Sequence, residues 1–146
     1  MDTSISARLR TGVTTLTADE TRALAAAWAK ELPADSTVAL HGDLGAGKTT
    51  WVQGLAAGFG IDGPVTSPTF TIYTIHQGMT HMLAHLDAYR LGSADEAQDL
   101  LLEEFLVSPW CLAIEWPERL AGWVAPDAWH LDLAVEADGR HSIRLR

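Results

Sequence analysis

Residues 37–53 read TVALHGDLGAGKTTWVQ, a strand, a turn and a helix in immediate succession. Val38, Ala39 and Leu40 are a short apolar run suited to a buried strand. Gly42, Asp43, Leu44, Gly45, Ala46, Gly47, Lys48 and Thr49 then satisfy the pattern G-x-x-x-x-G-K-[ST] throughout. Trp51, Val52, Leu55 and Ala56 follow at i, i+1, i+4 and i+5, which makes one apolar face of a helix. Each fixed residue of the middle segment answers a demand of a bound polyphosphate. Glycines at 42, 45 and 47 admit backbone angles closed to residues with a Cβ, so successive N–H groups can converge on one anion. The helix opening near Lys48 aims its unpaired N–H groups and positive dipole end at the same point. Lys48 is then placed to reach the β- and γ-phosphates of a nucleotide, and the Thr49 hydroxyl to take a position on Mg²⁺, with Thr50 next on the helix completing the set.

Working outward, the 146 residues fit one domain, 1–146, large enough to bury a real core. Hydrophobic residues at 47% and charged residues at 20% describe an ordinary globular chain. The net charge of −9 argues against a broad basic surface for DNA, RNA or anionic membrane, so any RNA is expected to be held by a partner. The opening MDTSISARLR lacks the apolar core of a signal peptide and no stretch approaches a membrane span, so a cytoplasmic protein is expected. The single cysteine, Cys111, lies in an apolar run and reads as a small buried hydrophobe.

The flanking segments predict an α/β fold. Leu9, Val13 and Leu16 suit a short edge strand within residues 1–16. Thr17 and Glu20 make a capping box for a helix carrying Leu24, Ala27, Trp28 and Leu32, which Pro33 ends, and its many alanines are good helix formers. After the glycine-rich loop at 58–64, strands are expected over 69–75 and 80–86 with a turn at Gln77-Gly78, an antiparallel hairpin. Ser93 and Glu96 cap a helix expected to run to Leu106. A strand over 110–114 ends at Glu115, Pro117 opens a helical turn, and 128–135 with 142–145 form a closing hairpin around Asp138-Gly139. The sum is a small P-loop NTPase domain, its sheet mixed parallel and antiparallel and flanked by helices.

A phosphate loop binds but does not by itself move a phosphate; Mg²⁺ and an attacking water need acids at the ends of neighbouring strands. Asp87 and Glu115 each end a predicted strand and could face the loop, or be solvated loop acids. Thr66, Ser67 and Thr69 offer hydroxyls around Pro68, suited to sensing a terminal phosphate or to plain turn chemistry. His76, His81 and His85 lie close together, with 81 and 85 on one strand face, but no cysteine or paired acid completes a metal set, which favours ordinary strand histidines. Arg90 could fix a carboxylate, touch a phosphate or make a surface ion pair.

Taken in order, GDLGAGKTT (42–50), SPTF (67–70), HLDAYRL (85–91) and EWPE (115–118) resemble the TsaE, or YjeE, family of bacterial ATPases in tRNA threonylcarbamoyladenosine biosynthesis. The resemblance implies a small ATPase, using ATP and Mg²⁺, that assists a TsaB–TsaD heterodimer acting on tRNA; because Arg90 is the only arginine between the loop and Glu115, slow turnover alone and activation by that pair are expected. It further implies nucleotide and metal binding by Lys48 and Thr49, a switch segment containing Ser67 and Thr69, Asp87 and Glu115 as acids around the metal and water, and Trp116 beside the nucleotide pocket. The chain departs from that pattern at Leu86 and Ala88, where larger or aromatic residues are usual, and at Leu101, where glycine is common. The competing readings are a GTPase-type switch, disfavoured because no N-K-x-D occurs, and a small-molecule kinase, disfavoured because three of the few arginines sit in the last seven residues.

Overall fold

The computed structural model describes residues 3–66 and 72–146; Ser67, Thr69 and the start of the strand expected over 69–75 lie outside the described residues. In chain order the elements are α1 (Ile5–Thr11), β1 (Val13–Thr15), α2 (Ala18–Ala29), β2 (Ser36–His41), α3 (Lys48–Gly58), β3 (Tyr73–Gln77), β4 (Met82–Asp87), α4 (Ala94–Asp99), β5 (Trp110–Glu115), β6 (Trp129–Val135) and β7 (His141–Leu145). Short 3-10 turns at Ala88–Arg90, Leu102–Phe105 and Pro117–Leu120 complete the set. The seven strands form one sheet in the order β1-β7-β6-β2-β5-β4-β3. Its four central strands, β6, β2, β5 and β4, are parallel, and antiparallel strands close both edges.

Alternation along the central strands divides the interior in two. Val38 and Leu40 of β2, Cys111 and Ala113 of β5 and Leu83 of β4 pack beneath α2 and α3 with Trp28, Trp51 and Leu55. Leu112 and Ile114 of β5 and Ala84 and Leu86 of β4 face the opposite way, toward Leu91, Ala97, Leu102 and Leu120 of the short helical pieces. Glu115 continues the series Cys111, Ala113 by two, so it emerges on the α3 side, level with Leu40 and Asp87.

The alanines of α2 have a packing role besides helix propensity. A Cβ at Gly54 of α3 would stand 2.5 Å from both Ala25 Cβ and the Arg22 carbonyl oxygen, and one at Gly58 would stand 2.6 Å from Ala29 Cβ. Small residues on both helices therefore let α3 lie close against α2, and Trp28 and Trp51 pack 5.8 Å apart between ring centres.

Two expectations are corrected. Leu9 lies buried on α1, a helix rather than an edge strand; the strand is only Val13–Thr15, and Leu16 is exposed. The helix starts at Ser4, whose hydroxyl accepts from the Ala7 N–H, while the distant Glu31 carboxylate accepts from the N–H groups of Ile5 and Ser6. The helix expected from Ser93 to Leu106 breaks at Leu101, which is left-handed at φ 53°, before a separate 3-10 turn. This backbone angle suits the glycine that the family resemblance leads one to expect there. Both predicted capping helices start as expected, at Thr17 and Ser93. In each, the glutamate reaches one residue further back than the cap itself, to the N–H of Leu16 or Gly92.

Candidate functional site

The carboxyl ends of β2, β4 and β5 meet the N-terminus of α3 at one cleft of about 410 Å³. It is lined by Leu44, Gly45, Gly47, Lys48, Thr49 and Thr50 of the loop and helix, by Asp87 and Glu115 of the two neighbouring strands, and by Trp116 and His141. Parallel strands bring this about: their carboxyl ends share an edge, and the connection after β2 crosses it to begin α3.

The loop has the backbone of an anion cradle. Gly45 and Gly47 are left-handed at φ 84° and 99°, and a Cβ at Gly42 would stand 2.5 Å from the Leu133 carbonyl oxygen. Gly42, Asp43 and Ala46 line a neighbouring hollow with Leu133, Ala134 and Val135 instead of the cleft itself. Lys48 is only 5% exposed and donates to the Gly42 carbonyl oxygen across the loop. Its ammonium also lies 3.6 Å from the centre of the Trp116 ring, a cation–π contact. Burial pulls the Lys48 pKa below its ordinary value, while the carboxylates of Glu115, Glu118, Asp87 and Asp43 pull it up.

Trp116 is held by backbone strain. It sits at φ 60°, ψ 49°, a conformation costly for a residue with a bulky side chain, immediately after β5 and before the Pro117–Leu120 turn. That turn of the chain lays its ring against Lys48 and, 5.2 Å away, against Tyr89, over which Arg119 stacks in turn.

Glu115 is 5% exposed and its Oε2 lies 2.6 Å from Nε2 of His85, which is fully buried. His85 is therefore more than the ordinary strand histidine expected, and it does not share a strand with His81, which precedes β4. Asp87 is half-buried at the end of β4, and its Oδ1 accepts from the Tyr89 N–H, which fixes the carboxylate at the strand's tip. Thr49, Asp87 and Glu115 offer only oxygen donors, the set a hard cation such as Mg²⁺ takes. Among the described residues no three or more His, Cys, Asp or Glu side chains are arranged to hold a metal ion by themselves.

Of the residues predicted from sequence, Leu44, Gly45, Gly47, Lys48, Thr49, Thr50, Asp87, Glu115 and Trp116 come together here. Arg90 is exposed at the end of its turn and does not line the cleft. His141 and His85 were missed. Neither carries a local signal: His141 arrives from the far end of the chain, and His85 matters only because β4 lies beside β5.

A family model described as threonylcarbamoyl adenosine biosynthesis protein TsaE matches residues 15–143. The chain is 40% identical to the tRNA threonylcarbamoyladenosine biosynthesis protein TsaE of Treponema pallidum over 75% of this chain and 81% of that one. It is 48% identical to the TsaE protein of Streptomyces coelicolor over 62% of each chain. The crystal structure of Bacillus subtilis YdiB superposes with a TM-score of 0.75 at 30% identity, covering 92% of this chain and 82% of that one.

Proposed function

This chain belongs to the TsaE family of threonylcarbamoyl adenosine biosynthesis proteins, and from that premise we propose that it binds and hydrolyses ATP with Mg²⁺ to serve the tRNA-modifying TsaB–TsaD pair. The observation that carries the proposal is the single cleft in which the glycine cradle, Lys48 and Thr49 face two strand-end carboxylates, Asp87 and Glu115. Phosphoryl transfer asks little of a protein beyond position and charge, and these groups supply both.

In this reading the loop N–H groups hold the phosphates, and Lys48 exchanges its bond to the Gly42 carbonyl for the β- and γ-phosphate oxygens. Thr49 and Asp87 would hold Mg²⁺, which would supply positive charge against the phosphate oxygens. Glu115, oriented by His85, positions the attacking water. The water oxygen bonds to the γ-phosphorus as the bridging oxygen of ADP leaves with the bonding electrons, and the water proton passes to Glu115 or to the released phosphate. Trp116 covers Lys48 and shields this step from bulk water.

A fast enzyme of this kind also needs a positive charge on the departing oxygens, and the one arginine between the loop and Glu115, Arg90, does not line the cleft. A partner that supplies such a charge accounts for slow turnover alone and faster turnover in complex. Steady-state phosphate release from ATP and from GTP, with and without the TsaB–TsaD pair and at low and high salt, tests the proposal. ATP turnover that rises with the pair, and less so as salt screens a net charge of −9, is expected. Fast hydrolysis by the chain alone, indifferent to the pair, would refute partner activation.

A further inference from the structure

The two faces of the sheet are covered unequally. On one side lie α2 and α3, of 12 and 11 residues, whereas on the other α4 has only 6 and the rest is 3-10 turns and loop. The helical pattern on that second side breaks at the left-handed Leu101, and next to the break a hollow of about 220 Å³ reaches down to the sheet. Thr37 of β2 and Trp110, Leu112 and Ile114 of β5 line it from below, and Leu102, Leu106 and Trp123 from the covering layer. Side chains alternate along β5, so Ile114 and Glu115 point to opposite faces, and the hollow is separated from the cleft by the sheet itself.

We propose that this hollow is a docking site for a segment of a partner protein that inserts one large apolar side chain and carries lysine or arginine on either side of it. Size argues for a single inserted side chain, since small-molecule sites usually offer about 300–1,000 Å³. The walls are aliphatic and indole surface, the kind of pocket in which a buried anchor contributes most to an interface. Phe105 and Val107, 50% and 62% exposed, stand in the same stretch of chain as Leu102 and Leu106 and extend the apolar surface outward. Charge decides what flanks the anchor. Residues 91–118 contain no Lys, Arg or His, while Asp95, Glu96, Asp99, Glu103 and Glu104 are all exposed and Glu103 lines the hollow itself. The net charge of −9 is thus concentrated around an apolar opening, which favours a cationic segment and repels an acidic one.

The test selects binders to the whole chain from a displayed library of random short peptides and measures the enriched peptides by fluorescence anisotropy. Peptides with Leu, Phe or Trp between Lys or Arg residues are expected, with affinity that falls as salt rises. Glu103→Lys combined with Glu104→Lys, both exposed side chains, should weaken these peptides ~10-fold or more, and the same peptides with Glu in place of their cations should prefer that variant to wild type. Alanine in place of the apolar anchor should cost a similar factor. In the wild-type protein the indole N–H resonances of Trp110 and Trp123 should shift on adding peptide, a readout that needs no variant. No enrichment, enriched peptides lacking either the anchor or the cations, equal binding to wild type and the charge-reversed variant, or unshifted indole resonances would each overturn the proposal. Free indole that binds as tightly as the peptides would give the hollow to a small molecule, and dimers that the charge reversal dissolves would give it to a second copy of this chain; either result also overturns it.

Discussion

Replacing Glu115 separates what this side chain does for the fold from what it does in the proposed chemistry. In Glu115→Ala the Nε2 of a fully buried imidazole loses its partner at 2.6 Å, and the other nitrogen, Nδ1, already has none among the described residues. Leaving one such group unpaired costs about 1–3 kcal/mol. The vacated space adds roughly 1 kcal/mol, and release of a buried carboxylate offsets part of the sum. A net loss of about 2–3 kcal/mol follows. With a urea dependence of about 2 kcal/mol per molar for a chain of this size, the unfolding midpoint should fall by about 1–1.5 M. Glu115→Gln keeps the volume and an amide that can pair with Nε2, so its midpoint should fall by no more than about 0.5 M. ATP hydrolysis should nevertheless drop by ~10²-fold or more in both variants, because a neutral side chain neither orients the water through charge nor takes its proton. Urea melts followed by tryptophan fluorescence, alongside phosphate release, give both readouts. Equal midpoints for Ala and Gln would refute the His85 pairing as a stabilising contact, and wild-type turnover in Gln would refute the role of the carboxylate.

Three further outcomes are expected. Asp87→Asn retains an oxygen for the Tyr89 N–H and should fold normally, yet need several-fold more Mg²⁺ for half-maximal hydrolysis; an unchanged Mg²⁺ titration would remove Asp87 from the metal site. Gly54→Ala should lower stability by about 1–3 kcal/mol although alanine is the better helix former, because its Cβ meets the Arg22 backbone at 2.5 Å; a raised melting temperature would show that α2 and α3 are not in close contact. Burial pushes the Cys111 thiol up to about 12 from 9.0, so the unfolded chain loses this proton first as pH rises. The stability that Cys111 contributes is complete below about pH 9 and lost between 9 and 12, and Cys111→Ala should flatten the fall in urea midpoint over that window.

Sequence alone determined the centre of this protein. Glycines that must be left-handed, a lysine and threonine at a helix start, and apolar strands ending in acids are local features with local physical causes, and they stand where the spacing put them. The hairpins and both capping boxes were legible for the same reason, since turns and helix starts are decided within a few residues. Tertiary structure decided what depends on distant partners. Helix α1 has a local cap in Ser4, but the N–H groups of Ile5 and Ser6 are satisfied by Glu31, 26 and 25 residues away, a contact no short window of sequence contains. The left-handed Leu101 splits an otherwise continuous helical pattern because the chain must turn there to bring Leu102 into the second core. Strand order β7-β6-β2-β5-β4 carries His141 to one end of the cleft and sets His85 behind Glu115 at the other. Side chains that act through neighbours on another strand leave no trace in their own stretch of sequence, because the pairing that gives them meaning is a property of the sheet.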